Sequence, residues 1–409
     1  MSANLRIDID RLMRRLRRLG EVGARPEGGV SRLALSDADK QGRDLVVGWM
    51  RELGLAVAID AIGNIVAVRP GRGGGAPVMT GSHIDTVRAG GLYDGNLGVL
   101  GGLEVVETLN AAGIETARPL AVAVFTNEEG ARFAPDMLGS LVYVGGLGLD
   151  EALATTAIDG ARLGEELTRI GYAGEATPGW LLPHAFVELH IEQGPVLEAD
   201  GITIGAVENL QGISWQEVAI AGTANHAGTT PMRLRHDAGY AAAWVATRVR
   251  EIAQALPEQV GTVGVIKLEP ELINVIAAKA TFTVDLRNTD EERLKRAERM
   301  LQQALDEIAR SEGVTVSSRV LARFEPVRFD AGIAKLIEDT AAGLGYSSRR
   351  MTSGAGHDAQ MLARVCPTAM IFTPSVAGIS HNPREHTEPA DLEAGANVLL
   401  HTMLELANG

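Results

Sequence analysis

The sequence predicts an α/β protein with a second, α+β unit inserted into it. Three observations carry this. Apolar runs of strand length alternate with helical patterns through the first half of the chain. Three of those runs end in clusters of His, Asp and Glu. A βαββαβ run then interrupts the pattern, which resumes near the C-terminus.

The elements follow in order. Leu12, Leu16 and Leu19 mark an amphipathic N-terminal helix with a basic outer face. Leu55 to Ile59 and Asn64 to Val68 read as a strand pair turning at Gly63. Ala76 to Thr80 is a strand that runs into Gly81-Ser82-His83, and a helix follows from about Gly95 to Leu109. Leu120 to Thr126 is a strand, apolar through Phe125 as in a sheet covered on both faces, and stops at Asn127-Glu128-Glu129. Phe186 to Leu189 is another strand, ending at His190. Open α/β sheets bind ligands at the carboxyl ends of their strands, which is where these clusters fall.

The interruption consists of Ser214 to Ile220 (strand), Ala238 to Ile252 (helix), Gly261 to Leu268 and Ala280 to Leu286 (strands), Glu291 to Ser311 (helix) and Val314 to Val320 (strand). That order is the split, ferredoxin-like pattern. After Glu325-Pro326 the chain returns to a helix, a strand at Ala369 to Thr373 and a last helix. The expected domains are therefore residues 1–211 with 326–409, and an insertion at 212–325.

Bulk properties bound the function. A chain of 409 residues, 45% hydrophobic, buries a large core and is expected to divide into domains. The net charge of -14 argues against nucleic acid and anionic membrane surfaces as partners. No stretch reaches the ~20 apolar residues of a membrane span. The one cysteine, Cys366, lies in an apolar run and reads as a packed small residue, and nothing calls for an oxidising compartment. The N-terminal stretch has no apolar signal core, so a cytoplasmic location is expected.

His83 ends a strand and Asp85 lies two residues on, placed to hydrogen-bond the far nitrogen of a metal-bound imidazole. Asp94 sits in the Gly-rich turn Gly90-Gly91-Leu92-Tyr93-Asp94-Gly95, and a carboxylate there can bridge two metals ~3.5–4 Å apart. Glu128 and Glu129 follow a buried strand, where adjacent carboxylates are costly unless used or solvated. One metal ligand and one general base would suit them. His190 and His381 add imidazoles at a strand end and in a Pro-containing loop. Together these form a mixed N/O donor set of the kind that holds Zn²⁺, Mn²⁺, Co²⁺ or Ni²⁺. Taken singly, each of these residues is as readily a cap, a surface group or a packed side chain; their number and placement make the case. His184, His236 and His401 read as structural or surface residues, and His357 as pocket-lining or packed.

The motifs Gly81-Ser82-His83-Ile84-Asp85-Thr86, Tyr93-Asp94-Gly95, Asn127-Glu128-Glu129-Gly130, Glu188-Leu189-His190-Ile191-Glu192-Gln193-Gly194-Pro195, Asn225-His226-Ala227-Gly228-Thr229-Thr230-Pro231-Met232 and Ser353-Gly354-Ala355-Gly356-His357-Asp358 resemble the hydantoinase/carbamoylase amidases. This is a branch of the M20 metallopeptidase-like fold that includes N-carbamoyl-L-amino-acid hydrolases, β-ureidopropionases and allantoate amidohydrolases. Six motifs in order, from about Leu12 to the C-terminus, carry the resemblance. His190 favours the amidase branch, because peptidase branches commonly place an acidic ligand there.

The resemblance implies an M20-like, mixed-sheet catalytic domain with an inserted lid and dimerisation domain. It implies two divalent ions per subunit, Zn²⁺ or Mn²⁺ with Co²⁺ or Ni²⁺ also admissible. His83, Asp94 and His190 would bind one, and Asp94, Glu129 and His381 the other. Glu128 would be the general base, and His226 would polarise the scissile carbonyl in the neighbouring subunit of a homodimer. Gln193, Asn274, Arg287 and Gly356 would contact the substrate. Ala277 departs from the family pattern, which usually has proline there, and this leaves the aim of Asn274 open. The expected reaction removes the carbamoyl (ureido) group of an N-carbamoyl-L-amino acid. Allantoate or another ureido acid, and an N-acyl amino acid or dipeptide, are the alternative substrates.

Overall fold

The structure, a computed structural model, describes residues 4–409. The chain begins with α1 (Ile9–Gly20), α2 (Asp37–Glu52), β1 (Ala56–Ile59), β2 (Ile65–Arg69), β3 (Val78–His83), α3 (Asn96–Ala111) and β4 (Leu120–Phe125). Short helices α4 (Leu138–Tyr143), α5 (Leu149–Leu153) and α6 (Leu163–Ile170) lead to β5 (Ala185–Ile191), α7 (Val196–Asp200) and β6 (Ile204–Leu210). Next come β7 (Gly212–Ala221), α8 (Ala238–Ala255), β8 (Val260–Thr262), β9 (Ile266–Glu269), β10 (Lys279–Asn288), α9 (Glu291–Glu312) and β11 (Thr315–Phe324). The chain closes with β12 (Val327–Arg328), α10 (Ala331–Gly343), β13 (Ser348–Ser353), α11 (Asp358–Leu362), β14 (Thr368–Thr373) and α12 (Pro389–Asn408). It divides into two compact units, Met1–Glu208 with Arg328–Gly409, and Asn209–Val327.

The first unit is built on one mixed sheet in the order β1-β2-β4-β3-β5-β14-β6-β12, with β13 on β6. Its centre, β4-β3-β5-β14, is parallel throughout, and β2 and β6 flank it antiparallel. All four central strands are fully buried: β4 is apolar throughout, and β3, β5 and β14 are largely so, their polar residues including His83, Glu188 and His190. The fold is thus the expected α/β architecture with a mixed sheet. β3 extends through His83 and β5 through Ile191, so both imidazoles sit on strand backbone rather than in loops.

Helix α3 packs on this sheet and is buried nearly end to end. Gly98 and Gly102, one turn apart, face the strands. A Cβ at Gly98 would lie 2.7 Å from the Leu189 carbonyl oxygen, and one at Gly102 2.7 Å from Thr80 Cγ2. Only glycine permits so close an approach. The N-cap of α3 is Gly95, at φ 64°, and this left-handed residue turns the chain directly after Asp94. In α1, Leu12, Leu16 and Leu19 are buried as expected. Its basic face is divided: Arg14, Arg17 and Arg18 are exposed, while Arg11 and Arg15 pair with Glu104 and Glu107 of α3.

The second unit has the strand order β11-β7-β10-β8, with β9 also on β10, and every ladder is antiparallel. Helices α8 and α9 cover it through Val245, Val249, Leu301, Leu305 and Ile308 against Val218, Ile220, Phe282 and Val284. The stretch expected as one strand from Gly261 to Leu268 is two. Val263-Gly264-Val265 place three residues opposite Thr283 and Val284, and this bulge divides β8 from β9. Among the described residues no helix is long and apolar enough to cross a membrane.

Candidate metal centre

Because β4, β3, β5 and β14 run parallel, their carboxyl ends lie along one edge of the sheet. His83 is the last residue of β3, and His190 the penultimate residue of β5. Glu128 and Glu129 follow β4, and His381 lies in the segment after β14. Asp94 enters from the turn between β3 and α3. The topology therefore gathers residues nearly 300 positions apart in sequence.

His83 Nε2 lies 3.6 Å and His190 Nε2 3.3 Å from Asp94 Oδ1. The other oxygen, Asp94 Oδ2, lies 3.4 Å from His381 Nε2, which is 3.3 Å from Glu129 Oε2. Two donor sets result, His83-Asp94-His190 and Asp94-Glu129-His381, each with its donor atoms within 4.8 Å of one another. Asp94 belongs to both and turns one oxygen to each. Glu128 is in neither set, but its Oε2 stands 3.3 Å from His83 Nε2.

The backbone sets the ring tautomers. His83 Nδ1 donates to the Asp85 carbonyl at 2.9 Å, and His190 Nδ1 to the Ile191 carbonyl at 2.9 Å. In the neutral ring that binds metal, Nε2 is then the nitrogen with the lone pair, and in both residues it faces Asp94; the Gly95 N–H donates to that of His190 at 3.2 Å. Imidazoles oriented this way are ready metal ligands. Asp85 thus acts differently from the expectation: its carbonyl, not its carboxylate, holds His83, and its Oδ1 is 3.9 Å from Nδ1. The carboxylate accepts instead from the backbone N–H groups of Glu128 (3.2 Å) and Glu129 (3.3 Å), fixing the acidic pair. The strand does not end until His83, and Asp85, two residues beyond it, meets the residues that follow β4.

The charges fit a cation. Burial pushes Glu128 well above the usual carboxylate range and Glu129 up to about 8. Asp94 is held well below that range: burial opposes its charge, but hydrogen bonds from His190, His381 and His83 outweigh the burial. Burial lowers His83, yet Glu128, Asp94 and Asp85 together hold it well above its ordinary value. Such crowding of acids is costly in the bare protein, and a bound divalent ion reverses it. The donor sets, the inward lone pairs and the excess of negative charge all suit divalent metals that take N/O ligands.

The other expected site residues divide between the units. Gln193, at φ 58°, donates through Nε2 to Asp94 Oδ2 at 2.8 Å, so it lies at the donor sets. Gly356 neighbours Met137, whose N–H donates to the Glu128 carbonyl. His357 is buried and packs edge-on against His190 at 4.5 Å, with Nε2 3.0 Å from Ser353 Oγ. Burial holds its pKa well below the ordinary value. Glu188, His190 and His357 form a third grouping of donor type. There, Glu188 is already taken by Ser82 Oγ (2.6 Å) and the Ala359 N–H (2.8 Å).

His226, Asn274 and Arg287 belong to the second unit. His226 and Asn274 adjoin: the Ala227 N–H donates to the Asn274 carbonyl at 2.9 Å, and His226 bridges Val275. Both side chains are exposed. The Gly228 and Thr229 N–H groups donate to His226 Nδ1 at 3.0 and 3.2 Å, which puts its proton on Nε2. Arg287 pairs with Asp285 at 2.9 Å and lies over the Trp215 ring.

Three contributors escaped the sequence reading. Glu385 accepts from the backbone of Tyr93 and Asp94, and Ser380 Oγ lies 3.2 Å from Asp94 Oδ2. Arg32, fully buried, donates to the Ile84 carbonyl and to Asn96 Oδ1, tying both ligand-bearing turns together. An Arg with no nearby acidic motif gives no sequence signal, whereas Glu385 stands four residues after His381 and could have been weighed with it.

A family model for peptidase family M20/M25/M40 matches residues 79–405. The chain belongs to this family. Among curated relatives, the N-carbamoyl-L-amino-acid amidohydrolase of Rhizobium meliloti is 42% identical, over 99% of this chain and 98% of its own. The N-carbamoyl-L-amino acid amidohydrolase of Geobacillus stearothermophilus is 40% identical, over 98% and 99%. The crystal structure of an amidase of the hydantoinase/carbamoylase family from Burkholderia multivorans superposes with a TM-score of 0.95 at 45% identity, over 99% of both chains. The resemblance carried by the six motifs therefore holds over the whole length, and with it the hydrolase class.

Proposed function

We propose that this protein hydrolyses the carbamoyl group of N-carbamoyl-L-amino acids, yielding the amino acid, carbon dioxide and ammonia. The observation that carries the proposal is the pair of donor sets sharing Asp94, with Glu128 beside them and outside both. The relatives named above support the substrate class.

In this reading His83, Asp94 and His190 would hold one divalent ion, and Asp94, Glu129 and His381 a second. The ions, zinc or manganese by preference and cobalt or nickel by donor type, would supply Lewis acidity and make a water acidic near neutral pH. Glu128, outside both donor sets, would take the proton of the attacking water and pass it to the departing nitrogen. Asp85 keeps Glu128 in place through its backbone. His226, with its proton fixed on Nε2, donates to the carbonyl oxygen as negative charge develops there. Arg287, oriented by Asp285, would offer its guanidinium to the substrate carboxylate, aided by Asn274, Gln193 and the backbone at Gly356.

Turnover of a panel of N-carbamoyl-L-amino acids, allantoate and dipeptides tests the substrate class. The N-carbamoyl-L-amino acids are expected to give the highest kcat/KM. Turnover of allantoate alone would move the assignment to ureido acids, and turnover of dipeptides alone would overturn it.

The same proposal makes Asn209–Val327 a lid and dimerisation domain, and the protein a cytoplasmic homodimer. Val320 and Leu321 on the edge strand β11, and Leu272 and Ile273 beside Asn274, are exposed apolar residues that support self-association. His226 would then serve the partner's site. Mixing His226→Ala chains with Glu128→Gln chains should restore activity, to at most about half of wild type per mixed dimer. Confirmed subunit exchange without recovery would place His226 in its own chain's site or in none.

A further inference from the structure

The two donor sets are anchored unequally. His83 and His190 are on buried strands, 1% exposed. His381 is 53% exposed, lies outside any helix or strand and has φ 53°. Something else must hold it against Asp94 and Glu129.

Glu385 is so placed. It is 5% exposed, although it lies four residues from an exposed His. Its Oε1 accepts the backbone N–H groups of both Tyr93 and Asp94, each at 3.1 Å. Its Oε2 accepts Ser380 Oγ–H at 3.0 Å, and that hydroxyl also lies 3.2 Å from Asp94 Oδ2. Gly91 leaves the space, since a Cβ there would collide with the Glu385 carboxylate. One carboxylate thus ties the turn that presents Asp94 to the segment that presents His381, from residues nearly 300 positions apart. Charge-assisted bonds from backbone N–H groups to a buried carboxylate are strong and directional.

We propose that Glu385 is a positioning residue that builds the second metal site, Asp94-Glu129-His381, by clamping the 380–386 segment onto the 91–94 turn. It touches neither substrate nor metal; it acts through Asp94, Ser380 and His381. The first site depends on it less, because two of its three ligands are held by the sheet and by the carbonyls of Asp85 and Ile191. The proposal rests on the two-metal reading above.

Calorimetric titration of metal-free protein with Zn²⁺, with bound zinc counted by mass spectrometry, tests it without reference to activity. Wild type is expected to take up two ions. Glu385→Ala should keep the first site within about threefold of wild type and weaken the second by about 10–100-fold, the usual cost of losing a group that orients a ligand. Glu385→Gln should retain both sites, because its amide oxygen still accepts both backbone N–H groups and its amide NH₂ donates to Ser380 Oγ. Ser380→Ala should weaken the second site only. If Glu385→Ala does not fold, Glu385→Gln against Ser380→Ala carries the same contrast. Equal weakening of both sites, wild-type affinity at both, or a Glu385→Gln that behaves like Glu385→Ala would overturn the proposal. A wild-type protein that takes up fewer than two ions would instead defeat the two-metal reading itself.

Discussion

Glu128→Gln is expected to lower kcat by roughly 10²–10⁴-fold or more while both metals stay bound. The substitution keeps the shape and the backbone bond to Asp85 Oδ1 but removes the proton acceptor. Glu128 is absent from both donor sets, so no ligand is lost. Its neighbour should behave otherwise. Glu129 Oε2 faces His381 at 3.3 Å, and its Oε1 accepts the Val87 N–H at 3.2 Å, so it is oriented as a ligand. Glu129→Gln should therefore weaken metal binding before it alters chemistry. Paired metal analysis and kinetics decide. An emptied site in Glu128→Gln, with both sites filled in Glu129→Gln, would reverse the two roles.

Removal of metal is expected to abolish turnover, and readdition of a divalent ion to restore it. Every candidate ligand must be deprotonated to bind. In the bare protein burial pushes Glu129 up to about 8, and the hydrogen bond with Asp94, reinforced by Glu129, pushes His381 up to about 9. Near pH 7 both carry protons that metal must displace. Apparent affinity should then fall as pH falls, with proton release on binding, and level off above those values. Dialysis against chelator at two pH values, followed by assay with and without added metal, checks both. Full activity in protein shown to be metal-free would defeat the reading.

The sequence alone determined the central strands, because β3, β4, β5 and β14 are covered on both faces and so carry mainly apolar runs, unbroken in β4. It determined that polar residues at the ends of such strands are costly unless they serve a site, and so marked His83, Glu128, Glu129, His190 and, with the Gly-rich turn, Asp94. Its weakness lay at the edges. β6, β12 and β13 are short or mixed in composition, and the break between β8 and β9 depends on one extra residue against β10. Local pattern does not register such events, because pairing partners set them.

Tertiary structure alone decided which atoms meet. Parallel order brings four strand ends to one edge, and only then does Asp94 divide its oxygens between two donor sets. Hydrogen bonds to the Asp85 and Ile191 carbonyls made Nε2 the nitrogen that His83 and His190 turn to Asp94. The parallel pairing of β3 with β4 gave the Asp85 carboxylate to the Glu128-Glu129 backbone instead of to His83. Glu385 reached Asp94 across the fold through bonds to backbone N–H groups, which every non-proline residue carries and which leave no mark in a sequence. Residue types are written locally, whereas donor geometry is a property of chain segments far apart that fold onto the same edge of one sheet.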